Sequence, residues 1–329
     1  MTVAEILACI PSLSALVVGD VCLDRWCRYE PRFDEPSRET GIPRVAVVEM
    51  QRTPGAAGTV ASNLVALGAG RVAVLGVAGN DGHGYELRLA LEARGIDATG
   101  LITDLDGLTF TYTKLINRIT GLEDLPRVDY VNPGDIAPEI ERAVVAQFHR
   151  TAPLFDVIVV SDQMELASGG VVTAALREAI SSFAGQHPGK VVWVDSRARP
   201  ELFRGVLVKV NEDEAEAACV RLGVPVDAQS LRRQVGHETL ILTRGSEGAV
   251  VVTEGGETVV PARRVEQVVD ICGAGDSFNA GASLALRLTR DAVAAAHFGN
   301  LVASITVTKP GTGTASPEEV RRAASQSGA

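Results

Sequence analysis

The run Asp270-Ile-Cys-Gly-Ala-Gly-Asp276-Ser-Phe-Asn-Ala-Gly281 is the most informative stretch of the 329-residue chain. Gly273, Ala274 and Gly275 stand immediately before a helical pattern that runs from Asp276 to Leu288. With no side chains in the way, successive backbone N–H groups can converge on an anion. The start of a helix adds partial positive charge at the same place. Asp276 falls in the first turn, where an isolated carboxylate would simply cap the helix. Beside an anion hole it can instead accept a proton from an attacking hydroxyl while the amides hold a transferring phosphate. Pattern alone leaves both readings open.

Around this run, apolar stretches of strand length alternate with helical ones. Strands are predicted at Ala15–Gly19, Val72–Val77, Val157–Val160, Val191–Asp195, Val206–Val210, Leu240–Thr243 and Ala249–Thr253. Helices are predicted at Gly58–Leu67, at His83–Arg94 with Gly95 beyond its end, at Val171–Phe183, at Glu212–Leu222 and at Ala292–Val307. This alternation means an α/β protein: a three-layer α/β/α sandwich on a mostly parallel central sheet. Arg44–Met50 and Thr109–Asn117 break the rhythm, being rich in β-branched and aromatic residues without helix partners. They read as a small accessory β-sheet over the mouth of the large one. No linker, repeat or charge block divides the chain. The expectation is one domain over 1–329 with lid insertions at about 24–52 and 107–130.

Composition removes several function classes. Lys and Arg number 31 against 41 Asp and Glu, a net charge of −10. That diffuse negative surface argues against nucleic acid or anionic membrane as partner, though not against one anionic ligand in a local site. The five cysteines, Cys9, Cys22, Cys27, Cys219 and Cys272, show no CxxC spacing and read as free thiols of a reducing cytoplasm. The five histidines are dispersed without HExxH, which argues against a zinc enzyme. The N-terminus lacks a basic region and carries Glu5, so no signal peptide is expected. The uncharged run Ala292–Thr308 is too polar and slightly too short for a membrane span. No GxxxxGK[ST] occurs, which excludes a P-loop kinase, and no strand-GxGxxG-helix unit points to a dinucleotide enzyme.

The GAGD run at 273–276, followed by a small-residue helix, resembles the C-terminal signature of the ribokinase (PfkB) family of carbohydrate kinases. The stretch Pro54–Gly68 (PGAAGTVASNLVALG), then Gly76–Gly84 (GVAGNDGHG), is similar to that family's Gly-rich sugar-site signature. The two matches come in the expected order, and the resemblance covers about Ser14 to Pro317. It implies a ribokinase-like fold with a β lid and an ATP-dependent kinase of a sugar or sugar phosphate.

Carried over residue by residue, the resemblance makes Asp276 the general base. It puts Gly273, Ala274, Gly275 and the Asp276 amide in the anion hole. Asp24, in the run Gly19-Asp20-Val-Cys-Leu-Asp24, matches a strand-end Asp that binds sugar hydroxyls, a task suited to a carboxylate. Asp20, Gly55, Ala56, Thr59, Asn63 and Arg197 complete the implied substrate site. Asn211 and Glu214 look like the NxxE motif that organises Mg²⁺ and phosphate through water, although Asn211 could equally be a helix N-cap. Thr243, Gly245 and Gly248 resemble the nucleotide-edge turn, and Asn300 lies where the family contacts adenine. The Asp270–Cys272 turn is implied at a K⁺ site, with ATP and Mg²⁺ as the other cofactors. A homodimer through the lid is the implied assembly.

Within the family, the resemblance is closer to the heptose 7-phosphate kinase group. It rests on Val18–Trp26, Ser37–Pro43, Ser161-Asp162, Val194–Arg197 and Lys309–Pro317. That group often carries a fused nucleotidyltransferase with an HxGH motif, which is absent from this sequence. Two departures bear on substrate: Thr59 replaces the usual Asn, and Ile271 the usual Thr or Ser. They keep open a non-catalytic ligand-binding relative, and a separate alternative is a nucleoside kinase of the same fold. The latter would stack its substrate on aromatics such as Trp26, Phe33, Phe110 and Tyr112.

Overall fold

The computed structural model describes residues 1–164 and 169–326. Its strands are β1 (Ser14–Gly19), β2 (Val21–Tyr29), β3 (Val47–Ala56), β4 (Arg71–Gly79), β5 (Asp97–Asp104), β6 (Thr111–Asn117) and β7 (Val128–Tyr130). These are followed by β8 (Val157–Asp162), β9 (Val191–Ser196), β10 (Leu207–Asn211), β11 (Thr239–Thr243), β12 (Gly248–Thr253) and β13 (Gly256–Pro261). The helices are α1 (Val3–Cys9), α2 (Ala57–Ala66), α3 (Gly82–Glu92), α4 (Pro138–Thr151) and α5 (Ala174–Gln186). The second half adds α6 (Glu212–Leu222), α7 (Ala228–Val235), α8 (Ala274–Thr289), α9 (Ala292–Thr306) and α10 (Pro317–Gln326).

Nine strands form one sheet in the order β13-β12-β11-β10-β9-β8-β1-β4-β5. Pairing is parallel from β5 to β11, and antiparallel only through β12 and β13 at one edge. The central strands are apolar on both faces because helices cover both. Along β1, Ala15 and Val17 enter one core with α2, α8 and α9. Leu16 and Val18 enter the other with α4, α5 and α7. Fully burying each such side chain contributes on the order of 1.5–3 kcal/mol. This is a three-layer α/β/α architecture.

The second sheet has four strands in the order β3-β2-β6-β7. It corrects two boundaries of the sequence reading. The strand expected at Arg44–Met50 runs instead over Val47–Ala56, beyond Pro54. Proline is tolerated there because β3 is an edge strand, where a missing N–H breaks no ladder. The second expected strand begins at Thr111, not Thr109, because the Thr109 N–H is taken by Asp81 Oδ2 at 2.9 Å and its hydroxyl accepts from Gly79 N–H at 2.9 Å. The helix expected from Val171 starts at Ala174, where the Thr173 hydroxyl caps it by accepting from Leu176 N–H. Strands β2, β5, β7 and β13 and helices α1, α4, α7 and α10 carried no distinct signal in the alternation. β5, β7 and β13 are sheet edges, β2 is interrupted by Asp24, Arg25 and Arg28, and most of these helices are largely polar, so their faces are only partly apolar.

Candidate active site

The parallel strands β1, β8, β9, β10 and β11 end along one edge of the large sheet, where open α/β folds place ligands. Asp20, Ser196, Asn211 and Thr243 lie at or just past those ends. The small sheet leans over this edge because β2 follows β1 after the single residue Asp20, and α2 leads straight out of β3. Lid strands and large-sheet loops therefore enclose a cavity of about 220 Å³. Asp24, Ala56, Thr59, Arg197, Gly273 and Asp276 all line it, although they span 252 positions of sequence.

Asp276 sits in the first turn of α8, half-buried at the cavity. Burial, reinforced by the nearby Asp195 carboxylate, pushes its pKa up to about 7, against the pull of Lys209 and Arg197. A carboxylate with that proton affinity is matched to taking a proton near neutral pH. No side chain caps α8, whose N-cap is Gly273 at φ +77°. The Gly275 and Asp276 N–H groups have no acceptor one turn back, as at any helix start. A Cβ on Gly273 would lie 3.3 Å from the methyl groups of both Thr59 and Thr312, in a conformation that L side chains rarely adopt. Glycine thus lets α2, α8 and the 309–315 loop close around this corner.

Asp24 faces the cavity from β2. Burial pushes its pKa up to about 6, opposed by the charges of Lys114 and Arg127. Gly55, opposite Cys22 on β3, lets Asp24 sit there: a Cβ on it would fall 2.6 Å from Asp24 Oδ2. Asp20 is further back, accepting from Gln163 N–H at 2.9 Å and Val171 N–H at 2.8 Å. Burial and the neighbouring Asp162 raise its pKa to about 6. Asp20 opens onto an adjoining cavity of about 380 Å³, which shares Cys22, Ala56, Tyr112, Arg127 and Gln163 with the first. Asn63 is a correction. It is fully buried in α2, with Nδ2 donating to Thr59 O at 3.0 Å, so it does not reach the cavity the sequence assigned it to.

At the end of β10, Asn211 and Glu214 form a reciprocal cap on α6. Asn211 Oδ1 accepts from Glu214 N–H and Glu214 Oε2 accepts from Asn211 N–H, both at 2.8 Å. Thr243 donates its hydroxyl to Val210 O at 3.2 Å. Gly245 and Gly248, both at positive φ, shape the turn into β12. Asn300 holds the end of β13, donating to Val260 O at 3.0 Å and Pro261 O at 3.3 Å. Asp270 fastens two loops together, accepting from Cys272 N–H at 2.9 Å and Gly311 N–H at 3.0 Å.

Sequence reasoning missed a buried network under this site. Asn279, one turn beyond Asp276, accepts from Trp193 Nε1 at 3.0 Å and donates to the Asp195 carboxylate. Asp195 in turn holds Lys209 Nζ at 3.2 Å. Burial works against the Lys209 charge, but Asp195 and Glu214 outweigh it and raise its pKa. Lys209 also lies close to Gly275, where a Cβ would be 3.5 Å from Nζ. Lys114, Arg127 and Gln163 on the cavity wall were missed as well. The one available signal was the alternation in Thr109–Asn117, which puts Tyr112 and Lys114 on one face.

No group of three or more His, Cys, Asp or Glu among the described residues could hold a metal ion. The five cysteines are free. No helix among the described residues is long and apolar enough to cross a membrane.

Comparison with known proteins places the chain in a family. The family model for pfkB family carbohydrate kinases matches residues 13–319. The chain belongs to that family, whose members are phosphotransferases acting on sugar hydroxyls. It is 32% identical over 318 residues to the bifunctional protein HldE of Geobacter sulfurreducens, and 33% identical over 315 residues to that of Geotalea uraniireducens. Each alignment covers 94% of this chain but 62% of the relative, so the chain spans about three fifths of their length. Among solved structures, phosphofructokinase-2 of Escherichia coli in complex with potassium superposes with a TM-score of 0.73 at 19% identity, covering 96% of this chain and all of that one. The Burkholderia thailandensis nucleoside kinase in complex with inosine gives 0.66 at 20% identity, covering 96% and 99%. At such identities these structures attest the fold.

Proposed function

We propose that this chain transfers the γ-phosphoryl group of ATP to a hydroxyl of a seven-carbon sugar phosphate. The observation that carries the phosphoryl transfer is Asp276 beside the uncapped start of α8, facing Asp24 across one small cavity. Similarity to HldE over the kinase-like part of those relatives supports a heptose phosphate as acceptor.

Asp24 accepts hydrogen bonds from the acceptor's hydroxyls and fixes its orientation. Asp276 takes the proton of the attacking hydroxyl as the new oxygen–phosphorus bond forms and the bond to ADP breaks. The amides of Gly275 and Asp276 stabilise the charge on the phosphoryl oxygens in flight. Glu214 would hold Mg²⁺ through water, and the ion supplies charge neutralisation for the phosphates. The Asp270 turn and the facing 309–315 loop would present carbonyls to K⁺. We place the reaction in the cytoplasm, where ATP is supplied. The faces of Trp26 and Tyr112 carry the Lys114 ammonium at 4.5 Å and the Arg127 guanidinium at 4.8 Å, which disfavours purine stacking and hence a nucleoside acceptor.

ADP release measured on a panel of sugars, sugar phosphates and nucleosides tests the reading. Turnover should be greatest with heptose 7-phosphate. No turnover with any panel member would overturn it in favour of a non-catalytic relative.

A further inference from the structure

Ala56 stands at φ +51° and ψ −120°, one of two non-glycine residues with positive φ among the described residues. This is the geometry of the first central residue of a type II′ turn, a position that glycine dominates because a Cβ crowds the backbone there. An alanine held in so sparsely populated a region costs stability, and it persists only where the surroundings over-determine it. Ala56 occupies such a place. It ends β3 opposite Val21 and leads directly into α2, whose first residue, Ala57, donates its N–H to Asp20 O at 3.0 Å. It also lines both the cavity that holds Asp24 and Asp276 and the adjoining cavity of about 380 Å³.

One turn into α2, Thr59 continues the same edge. It is 3% exposed, and its hydroxyl donates to Pro54 O at 3.4 Å, back along β3. Its methyl group faces Gly273, as does that of Thr312. The α2 side of the cavity is therefore built of methyl groups, whereas Asp24, Arg197 and Asp276 present charge to the same space. From this contrast, and resting on the kinase reading above, we infer that Ala56 and Thr59 form an apolar edge that decides which epimer of the acceptor is taken. A sugar that turns a C–H toward this edge is admitted, and one that turns a hydroxyl toward it is rejected. A hydroxyl laid against methyl groups gives up its hydrogen bonds to water and finds no replacement. Thr59, with its hydroxyl engaged by the chain itself, acts here through shape and not as a hydrogen-bonding group. Ala56 adds one methyl group where the two cavities meet, and the strained backbone is what holds it there.

The test uses the full chain and a panel of six- and seven-carbon sugar phosphates, each with its ring epimers. Calorimetric Kd values are measured for wild type, Ala56→Gly, Thr59→Ser and Thr59→Asn. At one ring carbon, wild type should bind the disfavoured epimer roughly tenfold to a hundredfold more weakly than the favoured one. Ala56→Gly and Thr59→Ser should each shrink that ratio, and Thr59→Asn, which supplies an amide for the hydroxyl, should shrink it most. Ratios at the other ring carbons should stay as they are. Variants that weaken all epimers equally, or that leave every ratio unchanged, overturn the edge, as does a wild type that binds no member of the panel. Independently, Ala56→Gly should raise the melting midpoint by about 2 °C, because glycine takes this φ without penalty. A midpoint that is unchanged or lowered would overturn the strain from which the edge is argued. If the epimer ratios respond as expected but no acceptor is turned over, the edge stands and the kinase reading fails.

Discussion

As the base we propose, Asp276 must be unprotonated to act, yet burial and Asp195 raise its pKa to about 7. The base works only in its ionised form. The acid limb of the kcat/KM profile should therefore fall about tenfold per pH unit below roughly pH 7. A limb centred near pH 4 would contradict the assignment. Asp276→Asn should lower kcat by about 10²–10⁴-fold, with little change in ATP affinity. The same carboxylate bears on stability. Its folded-state pKa is raised, so between about pH 4 and pH 7 the folded chain holds a proton that the unfolded chain has released. Stability from this group is complete below that window and lost as pH rises through it. Asp276→Asn should consequently melt higher than wild type at pH 8 and no higher at pH 4, as calorimetry at the two pH values would show.

At the scale of elements, the placement of α8 depends on more than its own sequence. Its N-terminal turn is tied to β9 and β10 through Asn279, Trp193, Asp195 and Lys209, each no more than about 5% exposed. Removing one partner of a buried ion pair leaves the other charge uncompensated, which typically costs about 3–5 kcal/mol. Lys209→Met should show a loss of that size in urea unfolding at pH 7, whereas Asp195→Asn with Lys209→Met together should lose much less. Additive losses would show that the two side chains do not act as a pair. The other neighbouring element, the Asp270 turn, is fixed by its carboxylate across two loops. Activity should require Mg²⁺ and be higher in K⁺ than in Na⁺, and Asp270→Asn should blunt the K⁺ preference. Full turnover in excess EDTA would contradict the metal requirement.

On the scale of the whole molecule, the site exists only because two sheets meet. A ligand bridging Asp24 on the small sheet and Asp276 on α8 couples the two bodies. Anything that binds only the folded chain raises its melting temperature by mass action. Acceptor and a non-hydrolysable ATP analogue together should therefore shift the midpoint more than the sum of either alone. The alternation of apolar strands and helices determined the α/β class and most central strands, because burial on both faces leaves an unmistakable apolar run in β1, β8, β9 and β10. The 273–276 run likewise marked the start of α8, since small residues leading into a helix are a local feature, but pattern alone left the role of Asp276 open between helix cap and base. What the sequence alone could not determine was everything set by long-range pairing. The β6–β2 register brings Lys114 beside Trp26, the β9–β10 pairing buries Lys209 against Asp195, and the depth of α2 withdraws Asn63 from the cavity. These depend on which strands become neighbours and how deeply each side chain is buried, quantities that no local spacing encodes and that only tertiary packing decides.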